Sequence, residues 1–460
     1  KYKFTRILHS KNFNKNKLLK SYNKINSILN VSINNNIDCP ELYMWASIPE
    51  YCYGRIEDWK AKRLFYIKNQ NKKILKKQKK GFNFLVLEPN LLISTVGTSM
   101  NIDALLKAQI LGYEKNKKLI LPIIKELKNN IVNQTLINYF AKYIEIEYDE
   151  TNAKYYHSLL GDLKSTYDEH IPCKSDEIVP DAHSSSIFIQ KIWNDKGFKP
   201  LFKLSEEHLL KGSKILTLMG VPKNSWYAVC HVRTSGFKGA EKFRDADIKS
   251  YYKAFESIKK EGGWVIRLGD KKMGPLPKMD KVIDYANSEF KSDFMDVFLC
   301  GSAKFMLGTS SGPAAISYIF GVPVVLTNNL PTGATYLGSQ DFFMPKRMQY
   351  KHSKIDIDRV DIMTPPFNLA FNDGIYDNIL KVDIIENTEE EIKDITIEMM
   401  EKINGTLNYS DEETYLQNKF KEITAKKETV PGLPNFQIQC NIGRKFIRDS
   451  NFKKNLKKYL

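Results

Sequence analysis

The residues with most chemistry to offer are Cys230-His231-Val232-Arg233 and, further along, Gly308-Thr309-Ser310-Ser311-Gly312-Pro313. Each run stands where an apolar stretch ends. In an open parallel sheet, ligands bind beyond the carboxyl ends of the strands, so both runs fall where a pocket is expected. The Arg233 guanidinium can fork onto a diphosphate, and His231 can hydrogen-bond a base or a phosphate. In the second run Pro313 suits a first helical turn, which leaves the backbone N–H groups at Ser311 and Gly312 free to face an anion. The bland readings stand beside these: a core histidine, an arginine held in a structural ion pair, and an ordinary strand-to-helix turn.

Three further groups sit at comparable positions. Glu241, Arg244, Asp245 and Asp247 follow a glycine-bearing loop over 236–239; Asp247 reads as a helix cap, while Glu241 or Asp245 could face an acceptor as a base. Arg267, Gly269 and Asp270 end the next apolar run, where Asp270 could take ribose hydroxyls or close a turn. Thr95, Gly97 and Thr98 end a run in the first half and open a helix carrying Asp103; these would face the same cleft from the acceptor side, or form a capping turn. The chain has no G-x-x-x-x-G-K-[ST] and no clean G-x-G-x-x-G after a strand, which disfavours P-loop and dinucleotide chemistry. Asp245-Ala246-Asp247 and Asp356-Ile357-Asp358 have D-x-D form, but one opens a helix and the other lies in a polar stretch, so no metal site is expected.

The elements that must position these residues follow from apolar periodicity. Phe84–Leu87, Lys118–Pro122 and Ile144–Tyr148 read as strands, with Leu91–Val96 a further candidate; helices are expected over Asn101–Leu111 and Asn133–Tyr143. Ser184-Ser185-Ser186 reads as a loop before Ile187–Trp193. A second strand–helix series runs through Trp226–Val232, a helix opened by Asp247, Trp264–Leu268, Val282–Tyr285, a helix from Ser292 stopped by Gly301, Lys304–Leu307, Pro313–Phe320 and Val322–Leu326. Runs apolar on both faces mark parallel strands covered by helices on both sides. Thr388-Glu389-Glu390-Glu391 is a capping box that opens a helix through Ile403, and the tail from Gly405 reads as polar and basic.

At 460 residues two domains are expected. The six cysteines are scattered without a C-x-x-C pair, which fits reduced cytoplasmic thiols rather than zinc or a disulfide framework. No apolar run is long enough to span a membrane. The chain starts at Lys1, so a segment before it could be missing. The net charge of +17 is either solvated lysine or attraction to an anionic partner; it is densest over Asn71–Lys80, and with no RNA- or DNA-binding motif beside it nucleic acid is disfavoured.

Over 198–346 the segments CHVRTSGF, FRDADIKSYYKAF, GGWVIRLGD, PLPKMDKVIDYANSEFKSDFMDVFLC and FMLGTSSGPAAISYIFGVPVVLTN resemble a family of bacterial glycosyltransferases with a GT-B-like, fucosyltransferase-like C-terminal half. The resemblance implies an α/β, GT-B-like fold: two Rossmann-like, doubly wound domains facing across a cleft. The expected parts are a basic helical extension over 1–80, an acceptor-side domain over 81–203, a nucleotide-sugar domain over 204–386, and C-terminal helices with a basic tail over 387–460. It implies a nucleotide-sugar co-substrate and no cofactor, with His231, Arg233, Thr309, Ser310 and Ser311 around the donor; Arg267, Asp270 and Gly312 join them by their position at strand and helix ends. Where the related enzymes carry a second arginine or a glycine-aspartate, this chain has Thr234-Ser235. A GDP-sugar is therefore favoured only slightly. The expected activity is metal-independent, inverting transfer to a surface-glycan, glycoconjugate or lipid-linked acceptor. Arg233 would stabilise the leaving diphosphate, and Glu241, Asp245 or, less suitably, Asp103 would act as base. The expected place is the cytoplasm, peripheral on the inner face of the membrane. The competing expectation is a catalytically inactive module of the same fold that binds an anionic glycan or other polyanion.

Overall fold

Strands rich in Val, Ile, Leu and Phe organise the chain, because apolar side chains on both faces can be buried only between helix layers. The computed structural model describes residues 15–34, 42–43, 46–47, 49–50, 53–89, 95–113, 117–160, 182–234, 241–334, 337–448 and 451–456. The candidate strand around Leu91 and the 236–239 loop therefore lie largely or wholly outside the described residues. Helices α1 (Lys15–Asn34) and α2 (Ile56–Gln78) precede the first sheet.

That sheet has three parallel strands in the order β1 (Phe84–Val86), β2 (Lys118–Pro122) and β3 (Glu145–Glu147). Around it lie α3 (Ser99–Ile110), α4 (Gln134–Phe140), α5 (Glu150–Ser158) and α6 (Ala182–Asp195). Ser184, Ser185 and Ser186 are buried inside α6, where a loop was expected. A serine triplet is a weak breaker when the residues after it supply an apolar face that packs on α3.

Helix α7 (Glu206–Leu218), N-capped by Ser205, leads into the second sheet. This is seven parallel strands in the order β12-β9-β8-β7-β4-β5-β6. The ranges are β4 (Tyr227–His231), β5 (Trp264–Arg267), β6 (Val282–Ile283), β7 (Phe305–Gly308), β8 (Val324–Asn329), β9 (Phe342–Pro345) and β12 (Asn441–Ile442). The central strands β4, β7 and β8 are buried along their whole length. The connecting helices include α8 (Tyr252–Lys260), α9 (Asp293–Ser302) and α10 (Gly312–Ile319). Gly301 does not stop α9 but lies inside it; a Cβ there would sit 3.2 Å from the Phe320 ring, so the glycine serves close packing.

An antiparallel pair, β10 (Arg347–Tyr350) with β11 (Val382–Ile385), and the short helix α11 (Arg359–Ile362) build a satellite core with Met348, Ile357, Phe367 and Tyr376. The chain ends in α12 (Glu389–Ile403), α13 (Asp411–Lys426), α14 (Arg444–Arg448) and α15 (Asn451–Asn455). The segment after Gly405 is therefore folded, not merely a polar tail. Leu416, Phe420 and Ile423 bury one face of α13, and β12 pairs with β9 at the sheet edge.

A candidate cleft site between the two sheets

The turns after β4 and β7 lie side by side because the strands pair in parallel, with His231 opposite Gly308. Gly308 has φ +155, and a Cβ there would fall 1.9 Å from the His231 carbonyl oxygen, so only glycine fits. The Arg233 backbone N–H donates to Thr309 Oγ1 at 3.0 Å, tying one turn to the other. Across from them stands the 3-10 turn Val96–Thr98, where the Thr95 hydroxyl accepts from the Gly97 N–H at 3.2 Å. The two halves touch at glycines: a Cβ on Gly312 would lie 2.4 Å from Val96 Cγ2. Asn133 Nδ2 donates to the Asp293 carbonyl at 2.9 Å, and the Gln134 N–H to the Asp293 carboxylate at 2.7 Å, which join the starts of α4 and α9.

Between these contacts lies a cavity of about 910 Å³, in the range of small-molecule sites. Of the donor-binding, acceptor-side and catalytic residues expected from the sequence, Thr95, Gly97, Thr98, His231, Arg233, Glu241, Asp270, Ser310, Ser311 and Gly312 line it. Four do not. Arg267 is buried, with Nη1 2.8 Å from Asp284 Oδ1 and Nη2 donating to the Met273 carbonyl. Thr309 is buried and bonds Arg233. Asp103 is buried against Lys107 at 2.5 Å, behind the wall. Asp245 sits behind Arg233, 3.5 Å from its Nε. For the three charged residues the charge found a structural partner, which strand position alone does not reveal.

The charges at the mouth form a mutual array. Arg233 Nη1 donates to the Glu241 carbonyl at 3.0 Å and lies 3.1 Å from Glu241 Oε2. Arg244 reaches the same carboxylate at 2.8 Å and the Ser310 carbonyl at 2.8 Å. Asp373 accepts from the Lys242 and Phe243 N–H groups, fixing this segment on the satellite core. Burial, then the Arg267 charge, pushes His231 down to about 4, so its ring is neutral at pH 7; its Nδ1 is buried without a hydrogen-bond partner.

Several wall residues were not picked out from the sequence as site residues, among them Asn101, His183, Lys291, Asp296 and Phe371. Asp296 lies one turn into α9, 3.0 Å from Lys291 Nζ, and accepts from the Tyr285 hydroxyl at 2.8 Å. Burial raises it, against the pull of Lys291. The available signal was the Ser292 cap, which puts Asp296 on the first turn after a strand.

No protein-family model matches this sequence, and no curated protein is significantly similar to it. Among solved structures the chain is similar to the glycosyl transferase family 9 from Veillonella parvula, at TM-score 0.42 and 10% identity over 70% of this chain and 97% of that one. It is also similar to the iron-containing dodecameric glycosyltransferase TibC from enterotoxigenic E. coli, at TM-score 0.29 and 14% identity over 54% of this chain and 59% of that one. UDP-GlcNAc 2-epimerase from Methanocaldococcus jannaschii follows, at TM-score 0.23 and 14% identity over 63% and 72%. Likenesses this distant say nothing of activity. The α/β, two-sheet architecture rests on the chain's own strand order and matches the fold expected from the sequence. Among the described residues no three His, Cys, Asp or Glu side chains converge as a metal site, and no helix is long and apolar enough to cross a membrane.

Proposed function

We propose that the chain is a glycosyltransferase that takes a sugar from a nucleotide-diphosphate donor and passes it to a glycan or lipid-linked acceptor. One observation carries the reading: Arg233, Arg244 and the 310–312 turn, far apart in sequence, line one cleft that the first sheet's 95–98 turn closes from the other side. The start of α10 lines that cleft and has no side-chain cap, so its first-turn N–H groups would be available to an anion, and two guanidiniums would supply charge for a leaving diphosphate. His231, neutral and buried, offers a hydrogen bond without adding charge. Asp270 lines the cleft, closes a turn by accepting from the Lys272 N–H at 2.7 Å, and would offer its other carboxylate oxygen to ribose hydroxyls.

The base falls more naturally to Asp296 than to Glu241. Glu241 is shared by two arginines and acts as their counter-ion. Asp296 keeps a raised pKa beside the cavity, which makes it the better proton acceptor from a sugar hydroxyl. Displacement at the anomeric carbon by that hydroxyl inverts configuration, and the arginines and amides meet the charge on the departing diphosphate without a metal. A GDP-sugar is the first donor to try.

The test is calorimetric titration with GDP-, UDP- and CMP-sugars. One of them is expected to bind the wild type, and Arg244→Ala to weaken it at least about tenfold, as expected for losing a charge-assisted bond to a diphosphate. Binding by polyanions alone, indifferent to Arg233→Ala and Arg244→Ala, would instead assign an inactive binding module.

A further inference from the structure

The wall of the cleft changes character along its length. The strand ends that meet it run in the order β5, β4, β7 and β8, and bring Asp270, Arg233, the 310–312 turn and Pro331 in that order. With neighbouring strands about 4.8 Å apart, the row spans roughly 14 Å. Polar groups hold its first three places. At the fourth the wall is aromatic: the Phe371 and His183 side chains both line the cavity, with ring centres 6.4 Å apart and planes 14° from parallel.

Contacts on both sides of Phe371 fix it at that end. The chain just after Pro331 presses on the turn that leads to Phe371, since a Cβ on Gly333 would lie 2.7 Å from the Asn368 carbonyl oxygen. Thr332 Oγ1 donates to the Ile362 carbonyl at 2.9 Å, which seats the same chain on the satellite core. Beyond Phe371, Asn372 Oδ1 accepts from the Gly374 N–H at 2.8 Å, and the Asp373 carboxylate accepts from the Lys242 and Phe243 N–H groups at 3.0 and 2.8 Å. The aromatic wall therefore abuts the segment that carries Glu241 and Arg244. Phe243, itself on the wall, is buried beside Tyr376 with ring centres 5.1 Å apart. His183 comes from the other half of the molecule, at the start of α6. Phe371 and His183 are each only partly buried, so packing leaves part of each side chain to the space they line.

We propose that Phe371 and His183 form the platform for the transferred sugar, a pyranose that lays a C–H face on the rings; this rests on the donor function proposed for the cleft. A nucleotide-diphosphate sugar carries ribose, diphosphate and sugar in that order. The wall carries Asp270, the guanidiniums with the 310–312 turn, and the aromatic pair in the same order. Aromatic faces are electronegative, so they attract the polarised C–H groups of a sugar ring and not an anion, which leaves the diphosphate to its own neighbours. The pair thus reads the sugar and not the nucleotide.

The full chain is titrated in a calorimeter with GDP-mannose, GDP-fucose, UDP-glucose and UDP-galactose, each beside its parent GDP or UDP. Phe371→Ala is expected to weaken the nucleotide sugar that binds by about tenfold, while the parent diphosphate stays within about twofold of wild type. Phe371→Tyr keeps the ring face and should hold both affinities. Equal weakening of sugar and diphosphate by Phe371→Ala would make the residue a structural support and overturn the platform, and so would weakening of neither. Should Phe371→Ala not fold, His183→Ala gives the same comparison from the other half of the cleft. A wild type that binds GDP or UDP but none of the four sugars also overturns the platform, and leaves the diphosphate site standing. Arg244→Ala is expected to weaken sugar and diphosphate alike. A wild type that binds no nucleotide at all removes the donor function and the platform together.

Discussion

Glu241 stands between two guanidiniums, and that position separates its role from that of Asp296. Replacing Glu241 by Gln is expected to loosen Arg233 and Arg244, so the donor KM should rise more than kcat falls. Asp296→Asn removes the proposed base and should lower kcat by about 100-fold or more with donor binding intact. The pH profile gives the sign. The base must be deprotonated, and burial raises Asp296, so the acid limb of kcat should lie above that of an ordinary aspartate. Lys291 pulls that pKa down, so Lys291→Met should move the limb to higher pH. A limb unmoved by Lys291→Met would separate Asp296 from the chemistry.

At the level of elements, the cleft depends on two strand-to-helix turns that tolerate little. A methyl group at Gly308 would meet the His231 carbonyl at 1.9 Å in a backbone conformation that L-residues avoid. Gly308→Ala is expected to cost about 3 kcal/mol or more, read as a loss of folded protein in urea unfolding. Thr388 works at a different kind of end. Its hydroxyl accepts from the Glu391 N–H at 3.2 Å while the Glu391 carboxylate accepts from the Thr388 N–H at 2.7 Å. Thr388→Ala should cost about 1 kcal/mol by the same measurement and leave the cleft untouched, since α12 packs behind the sheet.

The whole molecule carries buried acids whose titration shapes its stability. Glu398 is buried, accepts from Tyr409 and the Arg444 N–H, and is pushed from 4.5 up to about 7 by burial. Between those values the folded chain holds a proton that the unfolded chain has released, so this group lowers stability as pH rises through that window. His231 acts oppositely: with its pKa lowered to about 4, stability falls as pH drops below 6.5. Glu398→Gln should therefore stabilise the chain at pH 8 relative to pH 5, by on the order of 2 kcal/mol in the difference, as thermal scans at the two pH values would show. The basic face of α2 belongs to the same scale. Lys72, Lys76, Lys79 and Lys80 are exposed around Leu75. If the acceptor is carried on an anionic membrane, neutralising these four should weaken liposome binding, by about 1 kcal/mol per lysine. Unchanged binding would remove the membrane from the proposal.

Much of this was legible from local pattern. Strand Lys118–Pro122 and helix Glu389–Ile403 fall on their expected limits, because apolar runs, capping residues and stop signals act over a few neighbours. That His231 and Gly308 both stand at the carboxyl ends of parallel strands was legible; that their strands are neighbours was not. Pairing across long stretches did not follow: β12 is two residues that join β9 from near the chain end, too short to leave a periodic signal. Nor did the fate of buried charges. Arg233 and Arg267 look alike as arginines near strand ends, yet one lines the cleft and the other is held by Asp284. Which carboxylate reaches which guanidinium is set by packing between distant segments, and desolvation makes that choice decide whether a charge meets a ligand or only another side chain.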